Sequence, residues 1–504
     1  MKTIGKTRVA ATGPLVVAQD NPRYFAIAGD ENKQAVYLTG SHIWSNFHDG
    51  MGPGPECGDA TERMDFDAYL DFLQERGHNF IRLWRWEQFQ SQAAGGGFHL
   101  CMSPQPWART GPGNAKDGKP KFDLNRFDPA FFDRLRKRVI SAGERGMYVG
   151  VMLFDGWAIH LSPAPDNVEG HPFHARNNVN GVGINSINDY QVLPLDPKVQ
   201  ERQEAYIRRV IDTVHDLPNV LYEVANESSG GGAVDEAFAT ALGLAGKPEW
   251  GDSTEWQYWV IDRVKRYTQE RGYASHPIGM TMQFPVEEQT RVNEPLLSGA
   301  ADWISPGYDD EIFANGGHPM APGSPQSRWL ENPPPAEGRK IVITDTDHYA
   351  PGRGDALWAW KSFVRGHHPI LMDFGLIGGV NPPDRSAGAP MSFDAFEPAR
   401  WAMGDTARLA RRLNLMGMEP RSELSSTGFV LANPGREYVV LQPDGTRDPF
   451  TVTLASGTYG AEWFDIEKRM SLPEDTVQTD ARDDVRFRPP AAISGPSVLV
   501  LRKV

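Results

Sequence analysis

Short apolar runs alternate with longer amphipathic segments between residues 35 and 416. Eight of these runs have the composition of strands that are buried on both faces, as the strands of a parallel sheet are. They lie at residues 35–44, 79–87, 147–157, 220–229, 276–283, 301–308, 341–348 and 368–374. Between them, apolar residues recur at helical spacing, as in the segments from Asp65 to Arg76 and from Thr254 to Arg271. Eight strands in alternation with helices predict an α/β fold, a (β/α)8 TIM barrel.

The segments on either side of this alternation predict two smaller units. The strand patterns Arg23–Ile27 and Ala35–Thr39 flank a turn-rich segment, which predicts an N-terminal β-hairpin. Beyond Gly417 short strands and turns replace the helices, and this pattern is typical of an antiparallel β-sandwich. We therefore expect an N-terminal extension and hairpin entry at 1–34, a catalytic barrel at 35–416 and a C-terminal β-sandwich at 417–504.

The charge balance limits the partners of the chain. It has 65 acidic and 51 basic residues, a net charge of -14 and no run rich in Lys or Arg, which argues against nucleic acid and against an anionic substrate. No run is long enough to span a membrane, and Met1–Ala11 lacks the apolar core of a signal peptide. We expect a cytoplasmic protein, although a secreted chain with its leader removed would look the same.

The cysteine content and the pattern of the chain predict no cofactor. Cys57 and Cys101 are too few for a disulfide framework or a metal cluster, and we expect a reduced thiol pair rather than one loop disulfide. We expect no metal ion and no organic cofactor. The sequence does not specify the oligomeric state.

The run Val220–Ser229 places an amide, a carboxylate and two hydroxyls at the end of a buried strand. Partial desolvation raises the pKa of such a carboxyl, so that it can hold and deliver a proton near neutral pH. Asn226-Glu227 after this strand resembles the fourth-strand signature of the clan A glycoside hydrolases, retaining enzymes built on (β/α)8 barrels. The resemblance implies that Glu227 is the general acid/base and that Asn226 binds the sugar hydroxyl next to the reacting carbon.

Two further strands carry parts of the same resemblance. Ile-Arg-Leu around Arg82 is similar to the second strand of the clan, whose Arg steadies the catalytic nucleophile. On the sixth strand, Tyr308 matches by position a Tyr that hydrogen-bonds the nucleophile. An ion pair inside the barrel is the alternative role of Arg82, and the two roles are compatible because a buried Arg needs a carboxylate partner.

The seventh strand departs from the clan pattern. Clan members end this strand with a Glu, whereas this chain has Asp345, followed by Asp347 and His348. By the period of two both aspartates lie on the same side of the strand, so alternation does not choose between them. The match of Ile-Thr-Asp with the strand ending of the clan favours Asp345 as the nucleophile. Asp347 and His348 would then support it or contact the substrate.

Other polar and aromatic residues near predicted strand ends are candidates for sugar contacts, because hydroxyls bind polar groups and sugar rings stack on aromatic ones. A structural role in the barrel mouth is the alternative for each. The candidates are His42, Trp44, Trp86, Glu87, Asp155, Trp157 and Asp373. The clan often has a Trp on the eighth strand, where this chain offers Asp373 and Phe374.

The resemblance implies a retaining glycosidase that cleaves a glycoside or oligosaccharide by double displacement. Together with the hairpin and the barrel, the C-terminal motif Ala461–Asp465 resembles the apiosidase-like branch of the clan. One alternative is a non-catalytic carbohydrate-binding protein on a barrel scaffold. Another is metal-dependent hydrolysis through Asp345, Asp347, His348 and His42, which is weaker because no His-x-His pair closes the first strand.

Overall fold

The computed structural model describes residues 11–30, 34–44, 46–52, 64–92, 99–160, 168–232, 250–307, 309, 327–350, 352–376 and 393–504. Its strands before and within the barrel are β1 (Leu15–Val17), β2 (Phe25–Ile27), β3 (Ala35–Val36), β4 (Gly40–His42), β5 (Asp49–Gly52), β6 (Phe80–Leu83), β7 (Ser91–Gln92), β8 (His99–Ser103), β9 (Trp107–Asn114), β10 (Pro120–Phe127), β11 (Tyr148–Asp155), β12 (Val220–Asn226), β13 (Ile278–Thr281), β14 (Trp303–Ser305), β15 (Ile341–Asp345) and β16 (His368–Met372). The C-terminal strands are β17 (Glu419–Pro420), β18 (Val430–Asn433), β19 (Glu437–Gln442), β20 (Phe450–Leu454), β21 (Gly457–Asp465), β22 (Met470–Thr479), β23 (Asp483–Phe487) and β24 (Ser497–Lys503). The described helices are α1 (Phe66–Glu75), α2 (Pro129–Gly143), α3 (Trp157–His160), α4 (Asn188–Gln191), α5 (Pro197–Val214), α6 (Thr254–Arg271), α7 (Glu294–Ser298), α8 (Arg328–Glu331), α9 (Ala356–Val364) and α10 (Glu397–Ala410).

Eight parallel strands close into a barrel, which confirms the predicted fold. Around the barrel the order is β4, β6, β11, β12, β13, β14, β15 and β16, and β16 pairs again with β4. Each strand falls within a run that the sequence pattern predicts, although the strands are shorter than the runs. The C-terminal ends of all eight strands therefore meet at one mouth, where active sites of such barrels lie.

The opposite end of the barrel is filled by ten buried apolar side chains, which we call the floor. Strand residues such as Phe80, Leu221 and Ile343 meet Leu15 and Phe25 of the N-terminal strands there. The N-terminal strands form a three-stranded antiparallel sheet, because β1 adds to the predicted pair of β2 and β3. The floor closes the barrel at the end away from the mouth.

The helices begin where the sequence provides caps. Asp128 and Asp196 accept hydrogen bonds from backbone N–H groups of α2 and α5, each of which has Pro at its first position. Gly272 ends α6 in the left-handed conformation at φ 65°. Helix α10 ends at Ala410, before position 416, where we expect the barrel to end, and a short 3₁₀ turn follows at Leu415–Gly417.

The segment 88–122, which follows the second predicted strand and is rich in Gly and Pro, carries strands that its turn-rich sequence does not indicate. β9 and β10 form an antiparallel hairpin from Trp107 to Phe127. β8 pairs with β5 and β7. Cys101 in β8 is disulfide-bonded, so the expected reduced thiol is wrong at this residue, and Cys57 lies outside the described residues. The number of cysteines could not reveal this bond, because a disulfide depends on which segments the fold brings together.

The C-terminal unit consists of antiparallel sheets with a core of their own. Six strands pair in the order β17, β18, β19, β24, β21 and β22, and β20 pairs with β23. Trp463 and its apolar neighbours fill the space between them. Ion pairs of Asp405 in α10 with Arg469, and of Arg412 just beyond α10 with Glu462, connect this unit to the end of the barrel. Within the described residues, no helix has the length and apolar character needed to cross a membrane.

Candidate active site

The residues at the barrel mouth follow from the two-residue period of the strands. Phe80, Leu221 and Ile343 belong to the floor. The residue two positions further along each of these strands lies on the same face, nearer the mouth. These residues are Arg82, Glu223 and Asp345. Three strands that are not all neighbours thus direct one cation and two carboxylates into the barrel interior.

Arg82 is the centre of this network. Its Nε and Nη2 donate to the two carboxylate oxygens of Glu223 at 2.7 and 2.6 Å. Nη1 donates to Asp345 Oδ2 at 3.0 Å and more weakly to Asp347 Oδ2 at 3.3 Å. Nη2 also donates to Asn226 Oδ1 at 2.6 Å. Burial alone would lower the pKa of Arg82, but these carboxylates raise it, so the guanidinium stays charged.

Asp345 at the end of β15 is held in its ionised form. His42 Nε2, from the end of β4, lies 2.9 and 2.8 Å from its two oxygens, and the backbone N–H of Asp347 donates to Oδ1 at 2.9 Å. Burial would raise the pKa of Asp345, but His42 and then Arg82 outweigh it and hold the pKa well below its usual value. Asp345 therefore carries a negative charge at neutral pH.

Asp347 and His348 form the 3₁₀ turn that follows β15. Burial and the negative charge of Asp345 raise the pKa of Asp347 to about 6, against the opposing effect of Arg82. Burial and the charge of Arg82 lower the pKa of His348 to about 3, so its ring is neutral. Its Nε2 lies 3.1 Å from Asn226 Oδ1 and its Nδ1 lies 2.7 Å from Ser305 Oγ. Because Asn226 Oδ1 only accepts, His348 Nε2 carries the proton.

Asn226 is held by its oxygen alone. Oδ1 accepts from Arg82 and His348, and this fixes the orientation of the amide. Its Nδ2 is buried and has no hydrogen-bond partner among the described residues. A buried donor without a partner is costly in a folded protein and marks a position where a ligand can accept the bond.

Glu227 follows β12 in an unusual backbone conformation. Its φ is 44°, in the left-handed region that costs a residue other than Gly about 1–3 kcal/mol. The residue is 5% exposed. Burial, and next the negative charge of Asp347, raise the pKa of Glu227 well above its usual value, although Arg82 opposes the shift. Glu227 is thus protonated under conditions in which Asp345 is ionised.

Gly156 makes the sharp turn at Glu227 possible. Its backbone N–H donates to Asn226 O at 2.7 Å, which joins the end of β11 to the end of β12. A Cβ at position 156 would lie 2.5 Å from Ser228 Cα and 2.8 Å from Glu227 O. Only Gly therefore permits this approach of the two chains.

The aromatic candidates follow the strands β4, β6 and β11. The ring of His42 stacks on Trp84, with centroids 5.7 Å apart. Trp44 is half-buried and contacts the edges of Trp86 and Phe374 at centroid distances of 6.2 and 5.1 Å. Trp86 is buried and donates its indole N–H to the backbone oxygen of Trp44 at 2.9 Å. The half-buried rings are thus Trp44 and, at the start of α3, Trp157.

The acidic candidates differ in their surroundings. Asp155 at the end of β11 contributes to the raised pKa of Glu227, so it lies near that carboxyl. Glu87 accepts from the backbone N–H of Asp155 at 2.8 Å and from the hydroxyl of Tyr190 at 2.6 Å. Asp373 binds Arg400 through both oxygens, at 2.6 and 2.8 Å. Glu87 and Asp373 are thus buried, and their carboxylates bind protein groups. Their assignment as sugar contacts stays a prediction.

Glu223 is the site residue that the sequence did not single out. Its carboxylate is fully buried and bound to Arg82. The signal that could have revealed it is a charged residue at an inward position of a buried strand, which requires a partner of opposite charge.

Tyr308 lies outside the described residues. No group of three or more His, Cys, Asp or Glu side chains in the described ranges could hold a metal ion.

The fold and the mouth define a (β/α)8 barrel protein with one protonated and one ionised carboxyl at the C-terminal ends of its strands. No family model matches the chain, and no curated protein matches it.

Solved structures resemble it over nearly its whole length. One described as a glycoside hydrolase has a TM-score of 0.58 at 14% identity and covers 97% of both chains. A glycoside hydrolase family 5 protein from Bacteroides vulgatus ATCC 8482 has a TM-score of 0.59 at 13% identity, covering 97% of this chain and 94% of its own. A putative glycoside hydrolase from the same organism has a TM-score of 0.53 at 14% identity and covers 100% and 84%. At these identities the similarity establishes the shared fold.

Proposed function

We propose that the protein is a retaining glycoside hydrolase that cleaves a glycosidic bond by double displacement. The observation that carries the proposal is the opposite protonation of two carboxyls at one mouth: the pKa of Glu227 is raised, while that of Asp345 is depressed. This separation lets neighbouring acids take opposite roles. The similarity in fold to solved glycoside hydrolases supports the same reaction class.

In the first step, a carboxylate oxygen of Asp345 attacks the anomeric carbon and forms a glycosyl ester. The bond from that carbon to the leaving oxygen breaks, and its electron pair takes the proton of Glu227, so the leaving group departs as a neutral alcohol. Arg82 and His42 support this role because they hold Asp345 ionised and oriented.

In the second step, Glu227 acts as a base. Its carboxylate takes a proton from water while the water oxygen attacks the anomeric carbon and the ester bond to Asp345 breaks. The sugar leaves with the configuration it had in the substrate, and both carboxyls return to their starting protonation. Two inversions at the same carbon give net retention.

Asn226 is the proposed ligand of the hydroxyl next to the reacting carbon. Its Nδ2 is buried without a partner in the described part of the chain, and its oxygen is fixed by Arg82 and His348. A hydroxyl oxygen that accepts from Nδ2 would satisfy this donor. Such a contact strengthens as positive charge develops on the sugar, so it lowers the barrier more than it tightens binding.

The finer assignments belong to the same proposal. We assign the nucleophile to Asp345 rather than Asp347, because His42 and then Arg82 hold the pKa of Asp345 well below its usual value, so that it is ionised over a wider pH range than Asp347, whose pKa is raised to about 6. Tyr308 would hydrogen-bond Asp345. The substrate is a neutral glycoside or oligosaccharide, and the apiosidase-like branch of the clan is the proposed relative. The C-terminal sheets would serve packing against the barrel, which their ion pairs to Asp405 of α10 and to Arg412 just beyond it support.

The test is hydrolysis of a panel of aryl pyranosides and furanosides by the wild type, Glu227→Ala, Asp345→Ala and Asp347→Ala, with and without azide. We expect the wild type to release the aryl alcohol. Azide should restore activity to both variants. The product should be a glycosyl azide of retained configuration with Glu227→Ala and one of inverted configuration with Asp345→Ala. Glu287→Ala removes an exposed carboxylate, so it serves as the matched surface control and should keep wild-type rates.

Each other outcome has a definite meaning. Wild-type rates in Asp345→Ala would overturn the nucleophile assignment and move it to Asp347. Glycan binding that survives Glu227→Ala, together with no turnover of natural oligosaccharides by the wild type, would replace the proposal with a carbohydrate-binding function. Loss of activity on exhaustive chelation would favour metal-dependent hydrolysis.

A further inference from the structure

We propose that Glu223 is a positioning residue that fixes the plane of the Arg82 guanidinium and offsets its charge at the barrel mouth. The inference rests on the proposed function and deepens it, because it concerns what controls the proton on the acid of the same site. Neither the resemblance to the clan nor the sequence pattern assigns a role to this residue.

The geometry is that of a two-point grip. Nε and Nη2 of Arg82 donate to the two oxygens of Glu223 at 2.7 and 2.6 Å. These two parallel hydrogen bonds to a residue of β12 fix the plane of the guanidinium. In this fixed orientation the guanidinium also donates hydrogen bonds from Nη1 to Asp345 and from Nη2 to Asn226. The ion pair is sealed from water, with the two side chains 3% and 0% exposed.

Charge gives Glu223 its second effect. The single positive charge of Arg82 interacts with three carboxylates, Glu223, Asp345 and Asp347. The same charge lowers the pKa of Glu227. The carboxylate of Glu223, bound to Nε and Nη2 of the guanidinium, offsets part of the positive charge that Arg82 exerts on Glu227. Without Glu223, Arg82 would favour ionisation of Glu227 and the acid would lose its proton at lower pH.

The other charged groups that act on Glu227 come from three strands and a turn. They are Arg82 of β6, Asp155 of β11, Asp345 of β15 and Asp347 of the following turn. His42 acts on Asp345 and so affects Glu227 indirectly. The carboxylates raise the pKa of Glu227 and Arg82 lowers it. Removal of the Glu223 charge therefore adds to the effect of Arg82 and moves the balance in one direction.

The experiment compares Glu223→Gln and Glu223→Asp with the wild type in the pH profile of kcat/KM. In Glu223→Gln, which loses the charge, the basic limb should move to lower pH by about one unit, as a unit charge within about 12 Å at an effective dielectric constant of ~20 predicts. In Glu223→Asp, which keeps the charge but shortens the grip, kcat should fall about tenfold or more while the basic limb keeps its position.

Asp405→Asn is the matched control, because it also removes a buried carboxylate paired with arginine, but at the junction of α10 with the C-terminal sheets. It should lower the melting temperature without moving the limb. An unshifted limb in Glu223→Gln, or equal shifts in Glu223→Gln and Glu223→Asp, would overturn the proposal. If Glu223→Gln does not fold, Glu223→Asp decides: a shifted limb contradicts the proposal and an unshifted limb with lowered kcat supports it.

A second readout separates this inference from the proposed function. The carboxyl carbon of Glu227 can be titrated by NMR in protein labelled with carboxyl-13C glutamate, and Glu227→Gln assigns the signal. A lower titration midpoint in Glu223→Gln than in the wild type supports the role of Glu223 even if no glycoside is hydrolysed. An unchanged midpoint overturns it even in an active glycosidase.

Discussion

The guanidinium of Arg82 lies 3.0 Å from the carboxylate of Asp345, although β6 and β15 are not neighbours in the barrel. The contact spans the interior between two strand ends and is sealed from solvent, with side-chain exposures of 3% and 1%. It explains how an Asp can stand at a strand end where a longer Glu is the common residue in the clan it resembles. His42 and Arg82 approach the shorter side chain from two directions.

Replacement of Arg82 by Lys should lower kcat/KM by about 100- to 1000-fold, the usual effect of losing one preorganised charged donor. A Lys ammonium is a point charge and cannot hold Glu223, Asp345 and Asn226 in one plane. Steady-state kinetics on the best substrate of the panel measures the change. Arg136→Lys, in the more exposed pair with Asp216, is the control and should change the rate less than about twofold. An Arg82→Lys enzyme within about tenfold of the wild type would contradict the central role of the guanidinium.

Asp347→Asn should change how stability depends on pH. The folded pKa of Asp347, about 6, lies above the unfolded value of 3.8, so the folded protein binds the extra proton and its stability falls as pH rises between these values. The loss amounts to about 3 kcal/mol, since one pKa unit corresponds to about 1.4 kcal/mol. The Asn variant lacks this loss. Urea midpoints at pH 4 and pH 7.5 should therefore differ less in Asp347→Asn than in the wild type.

Asp216→Asn provides a comparison of opposite sign. A hydrogen bond from Arg136 lowers the pKa of Asp216 to about 2, so its stabilising effect is present above about pH 4 and is lost as pH falls. The Asn variant should be the less stable protein at pH 7.5 and approach the wild type at acid pH. Equal pH dependence of Asp347→Asn and the wild type would show that folding does not raise the pKa of Asp347.

Gly156→Ala should damage the site through the backbone. The added Cβ would meet Ser228 Cα at 2.5 Å, so the segment that carries Glu227 must shift. Overpacking of this kind costs about 1–3 kcal/mol of stability, and a displaced acid loses about 100-fold in rate. Thermal unfolding and kcat report the two effects. Gly445→Ala, where the nearest atom is 3.9 Å away, is the control and should leave both within error. Full activity in Gly156→Ala would contradict the tight approach.

Glu227→Gln should separate stability from activity. Burial and then Asp347 raise the pKa of Glu227 well above its usual value. At a pH above that usual value, the folded protein must either keep a proton on this carboxyl or bury its charge, and both lower the free energy of unfolding. A neutral amide of nearly the same shape avoids this cost, so the melting temperature at pH 7.5 should rise by a few degrees. Hydrolysis of substrates with poor leaving groups should fall by about 100-fold or more. Exposed Glu287→Gln should change neither quantity.

The strands of the barrel could be predicted because each one carries its own local signals. Asp128 and Asp196 mark helix starts, Gly272 marks a helix end, and the β-branched run before Asp345 fixes β15. The hairpin of β9 and β10 was missed because its Gly and Pro residues predict turns, whereas pairing with a partner strand decides the conformation. Strand pairing is a property of two distant segments and has no local signal.

The candidate site shows the same division. Glu227 and Arg82 could be proposed from one strand each, because a charged residue in a buried strand is rare enough to have a reason. The grip of Glu223 on Arg82 joins residues 141 positions apart. Likewise, the contact of His42 with Asp345 depends on how far around the barrel the strands close. Sequence spacing contains no distance of this kind.

The floor closes one end of the barrel, so the interior, within the described ranges, opens only at the mouth. Its ten apolar side chains, with Leu15 and Phe25 contributed by the N-terminal sheet, fill the axis of the barrel in the part of the chain that the structure describes. In the proposed reaction, the leaving group and the water that replaces it would therefore use the same opening, one after the other. Under the proposed mechanism, an alcohol that remains in the mouth would then compete with water as the acceptor of the glycosyl group.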